Sequence, residues 1–91
     1  MSTQWDVVVV GGGLAGITAA RDLEQRGFST VVLEASDRLG GRTYTIEDDG
    51  CTVELGGTWI YWNQPFIWAE KERYGLAIEE TPGCVAEHIA I

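Results

Sequence analysis

The sequence predicts an α/β fold, an open strand–helix–strand unit followed by a β-hairpin and a second helix. The β-branched run at residues 7–10 indicates a buried parallel strand. Glycines at residues 11–16 follow it directly and lead into apolar residues at helical spacing. A second apolar run at residues 30–33 comes after that helix. The right-handed crossover rule places this strand parallel to the first and beside it.

The first strand is predicted over residues 5–10 and the first helix over residues 14–26. An apolar stripe along the helix supports this assignment, and it comprises Leu14, Ile17, Ala20 and Leu23. Gly27 stands where a C-terminal cap belongs. The second strand, residues 30–33, then ends at Glu34.

Two further strands are predicted at residues 43–46 and 51–55. The Asp-Gly pair at residues 49–50 lies between them, and this pair is a strong signal for a tight hairpin. Gly56 and Gly57 then interrupt the second of these strands. The chain therefore follows its strand–helix–strand unit with a hairpin.

A second helix is predicted to begin at Pro65, because proline is favoured in the first helical turn. It runs to about residue 74, and Gly75 ends it. The remaining residues, 76–91, show few structural signals apart from a turn at Pro82-Gly83. No internal repeat and no linker is visible.

The composition sets limits on size and partners. With 91 residues the chain is one small domain at most, and its net charge of −8 disfavours nucleic acid or an anionic membrane as a partner. No apolar run approaches the roughly 18 residues of a membrane span, and no signal peptide is visible. Cys51 and Cys84 have no metal-binding or redox spacing, so each is expected to be a buried or half-buried small side chain in a cytoplasmic protein.

The glycines after the first strand follow the pattern Gly11-x-Gly13-x-x-Gly16. Such a junction directs backbone N–H groups and the positive end of a helix dipole at one point, which suits a pyrophosphate. Gly11 allows the turn, Gly13 allows the phosphates to approach, and Gly16 lets the helix lie close to the strand. The pattern predicts a Rossmann-like dinucleotide-binding unit.

Glu34 ends the second strand at the distance that this fingerprint requires. Its carboxylate would accept hydrogen bonds from an adenosine ribose and repel the extra phosphate of NADP. NAD and FAD remain. The next loop favours FAD, because its arginines, Arg38 and Arg42, and its glycine pair suit phosphate, and because the chain then forms a hairpin where an NAD domain would add a helix and a strand.

Three segments together resemble the N-terminus of the flavin-containing amine oxidases, the group of monoamine, polyamine and L-amino-acid oxidases. They are residues 7–16, 33–43 and 54–59. The stretch at 56–62, followed by Gln64-Pro65, is most similar to microbial and fungal monoamine oxidases. The resemblance covers residues 5–81 and departs at Ser36, where many members carry a basic residue.

The resemblance implies an FAD site built from three loops. The first holds the pyrophosphate, the second takes the adenosine ribose at its start and lines the path toward the flavin, and the third lies near the isoalloxazine ring. The cofactor-binding positions implied are Gly11, Gly13, Leu14, Ala15 and Gly16, then Glu34, Ala35, Arg38, Gly40, Gly41 and Arg42, and finally Gly56, Gly57 and Thr58.

The resemblance also implies a reaction, in which an amine is oxidised to an imine and O2 is reduced to H2O2. The family's catalytic residues belong to later segments, so no catalytic residue and no metal ligand is assigned. Lys71 is expected to be solvated and His88 to be incidental. Trp59, Tyr61 and Trp62 are candidates for a role near the flavin or substrate, although packing is the favoured role for Trp62 and Trp68. The chain is thus expected to be the N-terminal part of an FAD domain, completed by a missing C-terminal part or by a second chain.

Two alternatives remain open at this point. An FAD enzyme of the phytoene desaturase or protoporphyrinogen oxidase type shares much of the first two motifs. A non-catalytic nucleotide-binding or interaction module is also compatible, since a short chain with an exposed sheet edge can pair with a partner.

Overall fold

In the computed structural model, which describes residues 4–80, the chain forms four strands and two helices. In chain order these are β1 (Val7–Val10), α1 (Leu14–Gln25), β2 (Thr30–Leu33), β3 (Tyr44–Asp48), β4 (Cys51–Gly56) and α2 (Pro65–Arg73). The predicted order and types are confirmed, and the bounds differ by one or two residues. The predicted turn at residues 82–83, with Cys84 and His88, lies outside the described residues.

β1 and β2 pair in parallel, with Val7 opposite Thr30 and Val10 opposite Leu33, as the crossover rule predicts. The prediction that β1 is buried is wrong: Val7 and Val9 are half-buried, whereas Val10 is 84% exposed. The cause is that α1 packs against both strands, and no other element of the described residues packs on them.

Helix α1 ends as its sequence predicts. Gly27 adopts φ +93°, a left-handed conformation that glycine enters without strain, and its N–H donates to the Glu24 carbonyl. Of the apolar stripe, Ala20 and Leu23 are half-buried, while Leu14 and Ile17 stay exposed. The stripe therefore covers β1 and β2 only in part.

The hairpin of β3 and β4 is antiparallel and closes through Asp49 and Gly50. Both residues have positive φ, +51° and +79°, as the turn favoured between twisted strands requires. Ile46 and Val53 lie opposite each other and are half-buried. Cys51 is exposed, contrary to its predicted burial, because it directly follows the turn at the tip of the hairpin.

The chain divides into two compact units, and the second begins at Trp59. Its helix α2 starts with Pro65 in the first turn, and Gly75 beyond its end has φ +62°. The rings of Trp62 and Trp68 stack 5.1 Å apart at 12°, which confirms their predicted packing role. Lys71 is less solvated than predicted: its side chain is 23% exposed and pairs with Glu72 at 3.2 Å.

Candidate cofactor site

The candidate site lies where β1 and β2 end, because parallel strands present their carboxyl ends at the same edge. Gly11 leaves β1 with φ +104°, which a residue with a side chain rarely adopts, and its N–H donates to the Leu33 carbonyl at 2.7 Å. The β1–α1 loop (residues 11–13) and the β2–β3 loop (residues 34–43) therefore leave the sheet side by side.

The N-terminus of α1 is open to an anion. Its cap residue, Gly13, makes no side-chain hydrogen bond, and the first turn contains no acidic residue. A Cβ at Gly13 would meet nothing nearer than the Gly41 Cα at 3.8 Å, so the protein's own packing does not demand glycine there. Leu14 and Ala15 form the exposed start of the helix. The positive end of the helix dipole is thus uncompensated by any side chain of this turn.

Gly16 serves packing, as the motif predicts. A Cβ at this position would collide with the carbonyl oxygen of Gly11 and would lie 3.3 Å from a methyl group of Val9. Glycine therefore lets the first turn of α1 lie directly on the end of β1.

Glu34 is held by three hydrogen bonds. Its Oε1 accepts from the Gly12 N–H at 2.8 Å, and its Oε2 accepts from both the N–H and the hydroxyl of Ser36 at 2.8 Å. The Ser36 N–H, then the Gly12 N–H and the Ser36 hydroxyl, lower the pKa of Glu34 to about 2. The carboxylate is therefore ionised at neutral pH and oriented before any ligand binds.

Ser36 controls how many further donors Glu34 can accept. A carboxylate offers about four acceptor positions, and three are in use. The Ser36 hydroxyl has a single proton and a second acceptor in reach, the Arg38 carbonyl at 2.9 Å. By turning to that carbonyl it frees another position on Glu34. The two hydroxyls of a ribose can then both be accommodated.

Gly12 is a site residue that the sequence reasoning missed. It is buried, its N–H donates to Glu34, and its carbonyl accepts from the Gly40 N–H at 2.8 Å. A Cβ there would meet the Leu39 side chain at 2.5 Å. The available signal was the third consecutive glycine, at a position that the Gly11-x-Gly13-x-x-Gly16 pattern leaves free.

The two arginines of the β2–β3 loop occupy different environments. Arg38 is half-buried and donates to three backbone carbonyls: from Nη1 to Leu39 at 3.2 Å and Thr43 at 3.1 Å, and from Nη2 to Gly41 at 2.7 Å. Arg42 is exposed, as is Ala35 after Glu34. A direct phosphate contact by either arginine stays a prediction.

Gly40 and Gly41 bring the second loop against the first. Their φ values are +110° and +61°, and a Cβ on Gly41 would lie 3.2 Å from the Gly13 Cα. Thr43 closes the loop, since its N–H and its hydroxyl both donate to the Gly40 carbonyl, at 3.1 and 2.7 Å.

The third glycine cluster meets the end of the same loop. A Cβ on Gly56 would collide with the Arg42 carbonyl oxygen, and one on Gly57 would meet the Thr43 methyl group at 2.6 Å. Thr58 follows as an exposed residue. The β2–β3 loop therefore contacts both of the other glycine clusters.

Residues 4–80 contain no group of three or more His, Cys, Asp or Glu side chains placed to hold a metal ion. Neither described helix is long and apolar enough to cross a membrane.

Comparison with known proteins shows which family the chain resembles. Residues 14–88, more than half of the chain, match the family of flavin containing amine oxidoreductases. The chain belongs to this family, whose cofactor is a flavin.

Individual relatives agree with this assignment. The chain is 53% identical over 90 residues to the pseudooxynicotine dehydrogenase of a Pseudomonas species, covering 99% of this chain and 18% of that protein. It is 54% identical over 77 residues to amine oxidase B of Rattus norvegicus, covering 84% of this chain and 15% of the relative. The chain thus spans less than a fifth of the length of these curated relatives.

Solved structures share the fold. Putrescine oxidase bound to putrescine superposes with a TM-score of 0.74 at 42% identity, over 79% of this chain and 16% of that one. A fatty acid isomerase from P. acnes has a TM-score of 0.72 at 28% identity, over 87% of this chain and 19% of that one.

The residues present fit the family's flavin in its dinucleotide form. An uncapped helix N-terminus suits the pyrophosphate, and an ionised carboxylate at the end of the neighbouring strand suits a ribose. Open space beside Gly13, which a side chain would fill, allows a ligand to approach the backbone.

Proposed function

We propose that this chain is the FAD-binding segment of an enzyme that oxidises an amine to an imine and reduces O2 to H2O2. One observation carries the proposal: the Gly12 N–H holds the ionised Glu34 carboxylate beside the uncapped N-terminus of α1. Groups for a ribose and for a pyrophosphate are thereby joined by a single hydrogen bond. Family membership then selects the flavin dinucleotide.

The chain's own residues bind and orient the cofactor. Backbone N–H groups at the start of α1 and the side chain of Arg42 take the pyrophosphate, and Glu34 takes the adenosine ribose. Gly57 and Thr58 would lie near the flavin ring. When bound, the flavin supplies the redox chemistry, and the protein supplies placement.

The charge on Glu34 sets the choice of nucleotide. Because its pKa is lowered to about 2, the carboxylate stays negative at neutral pH. A phosphate on the ribose, as in NADP, would place a second negative charge against it without a compensating proton. An unmodified adenosine ribose is therefore preferred.

The substrate we propose is an amine of the nicotine type. The names of two relatives support this choice, the pseudooxynicotine dehydrogenase at 53% identity and a nicotine dehydrogenase of Pseudomonas putida at 55% identity. No residue of this chain is assigned to the substrate. The groups that select the amine belong to the remainder of the enzyme.

A larger protein body is part of the proposal. Among residues 4–80 no apolar side chain is fully buried, and Val10, Trp62 and Phe66 are 84%, 78% and 87% exposed. Each described sheet has two strands, and sheets of this size are stabilised by further elements that pack on their faces. A following segment or a complementing chain would cover these surfaces, as whole domains do.

The first test is a titration of the chain with FAD, FMN and NAD, in which binding is measured by flavin fluorescence and by calorimetry. FAD is expected to bind most tightly, since FMN has no adenosine for Glu34. The matched pair Glu34→Gln and Glu24→Gln removes one charge at the site and one on the exposed side of α1. Equal affinity for FAD and FMN, or NAD binding without flavin binding, would contradict the proposal.

The activity is tested in a chimera of pseudooxynicotine dehydrogenase that carries residues 4–80 of this chain in place of the aligned segment. Amine-dependent reduction of its flavin and release of peroxide are measured with nicotine, pseudooxynicotine, benzylamine and putrescine. Turnover of at least one amine is expected. Because the groups that select the amine come from the host, turnover reports whether this segment holds the flavin in a working position for amine oxidation. A folded, flavin-loaded chimera that is silent with all four amines would contradict the proposal that it does.

A second candidate is a flavin enzyme acting on a substrate that is not an amine. The likeness to a fatty acid isomerase, at 28% identity, favours it, since the same fold there serves another chemistry. A second chimera, in which residues 4–80 replace the aligned segment of the fatty acid isomerase, would select this candidate if it isomerises an unsaturated fatty acid while the amine-oxidising chimera stays silent.

A further inference from the structure

The guanidinium group of Arg38 makes its hydrogen bonds to the backbone of its own loop. Nη1 donates to the carbonyls of Leu39 and Thr43, and Nη2 donates to that of Gly41 at 2.7 Å. The guanidinium carbon lies 3.9 Å from the centre of the Tyr44 ring, so that a cation–π contact holds the planar group from one side.

The hydrogen bonds from Arg38 to these carbonyls also fix the directions of the N–H groups in the same peptide units. In a trans peptide the C=O of one residue and the N–H of the next point to opposite sides, and residues 4–80 contain no cis peptide. The Leu39 carbonyl faces Arg38, so the Gly40 N–H faces away from it. Directed in this way, the Gly40 N–H meets the Gly12 carbonyl at 2.8 Å.

This arrangement stabilises a backbone that is otherwise costly. Gly40 and Gly41 both have positive φ, and glycine loses more conformational freedom on ordering than any other residue. Charge-assisted hydrogen bonds from one rigid, planar group to carbonyls on either side of the pair can offset that cost.

We propose that Arg38 is a positioning residue, which anchors the β2–β3 loop to Gly12 and so holds Gly41 against Gly13 at the pyrophosphate end of the site. Its effect on the cofactor rests on the proposed function. The effect on the loop does not, because every contact involved is made within the chain.

A direct phosphate contact by Arg38 is the competing role, and lysine separates the two. A lysine ammonium keeps the charge and still binds phosphate, but its donors radiate from one atom, so it cannot span three carbonyls or stack on Tyr44 as a planar fork does. Tyr44→Leu removes the ring and leaves the arginine charge in place. Arg26→Lys, at the exposed end of α1, is the matched control.

The experiment measures hydrogen exchange of the Gly40 amide by NMR in the full 91-residue chain without cofactor, and then FAD affinity in the same variants. Arg38→Lys is expected to accelerate Gly40 exchange by about 10-fold or more and to weaken FAD binding by a similar factor. Tyr44→Leu should also accelerate Gly40 exchange and weaken FAD binding, but by smaller factors. Arg26→Lys should move neither.

Several results would overturn the proposal. One is an unchanged Gly40 exchange rate in Arg38→Lys, since a loss of FAD affinity alone would show that Arg38 touches the cofactor. Another is an unprotected Gly40 amide in a parent chain that is folded by circular dichroism. If Arg38→Lys does not fold by circular dichroism, an unchanged rate in Tyr44→Leu overturns it. Gly40 protection that depends on Arg38, in a chain that binds no FAD even as part of the chimera, would sustain the anchor and contradict the proposed function.

Discussion

The glycine-loop region (residues 11–58) and the aromatic segment (residues 59–80) use hydrogen bonds in different ways. In the first, bonds join distant residues: Gly12 to Glu34 across 22 positions, and Gly40 to the Gly12 carbonyl. In the second they stay local, as where the Trp68 indole N–H donates to the Tyr61 carbonyl seven positions away. These long-range bonds fix two loops relative to each other, whereas local bonds stiffen a helix and leave aromatic rings exposed.

This difference shows which side chains of the candidate site are oriented by the chain's own residues. The parts that would contact a dinucleotide are oriented by the chain's own backbone, since Glu34 and Arg38 are both held by partners within the loops. The aromatic segment has its Trp62–Trp68 stack, but within residues 4–80 Trp62 remains 78% exposed. Substitutions in the two regions should therefore act on different measurements.

The largest effect is expected from Gly16→Val. The new side chain would collide with the Gly11 carbonyl oxygen and push α1 away from β1, so FAD affinity should fall by about 100-fold or more. Fluorescence titration measures the loss, and circular dichroism establishes that the helix persists. Ala19→Ser, on the exposed side of α1, is the control and should bind as the parent does. Parent-like affinity in Gly16→Val would show that the helix position is irrelevant to the site.

A smaller effect is expected from Glu34→Gln. The carboxamide keeps one acceptor oxygen and places an NH2 group where the other oxygen accepts, from either Gly12 or Ser36, so the site loses its charge and part of its orientation. FAD affinity should decrease about 10-fold, a loss in the range of one charge-assisted hydrogen bond. Titration beside Glu24→Gln measures it, and equal affinities in the two variants would refute the role of Glu34.

The contribution of Glu34 to the free energy of unfolding should depend on pH in the acid range. The pKa of Glu34 is lowered from 4.5 to about 2 in the folded chain, so between these values the unfolded chain binds more protons than the folded one. The stabilisation is fully present above pH 4.5 and is lost as the pH falls toward 2. Urea unfolding from pH 5.5 to 2.5 should show this loss in the parent and a weaker one in Glu34→Gln. Identical pH profiles would contradict it.

The smallest effect is expected in the aromatic segment. Trp62→Ala removes the stack on Trp68, which contributes on the order of 1 kcal/mol, and should reduce the near-ultraviolet circular dichroism and the helicity of α2. FAD affinity should remain that of the parent. Phe66→Ala, at a residue 87% exposed, is the control for lost aromatic surface. A loss of FAD affinity in Trp62→Ala as large as that in Glu34→Gln would break the distinction between the two regions.

Features that depend on neighbours in the sequence were predictable. The Asp49-Gly50 pair predicts the hairpin turn because the turn needs two residues that tolerate positive φ, and both have it. Gly27 and Pro65 mark helix ends for equally local reasons. The parallel pairing of β1 and β2 follows from the crossover rule alone.

Features that depend on residues distant in the sequence but close in space could not be predicted. Nothing beside Arg38 in the sequence shows that its guanidinium turns to the carbonyls of its own loop, since an arginine next to paired glycines equally suits a phosphate. The role of Gly12 requires Leu39 and Glu34 to lie against it. The exposure of Val10 and Cys51 reflects how little of the chain packs on each strand, which hydrophobic pattern does not reveal.

The β1–β2 pair is only four residues long, and it is pinned at both ends. At the amino ends Asp6 and Ser29 exchange two hydrogen bonds, at 2.9 and 2.8 Å, and at the carboxyl ends the Gly12 N–H meets Glu34. A slip of one residue would break both sets at once and turn Glu34 to the other face of the sheet. Hydrogen bonds at both ends of the strand pair therefore fix the spacing between Glu34 and the N-terminus of α1, the groups proposed for a ribose and a pyrophosphate. One of the two sets lies at the end of the sheet away from the proposed ligand.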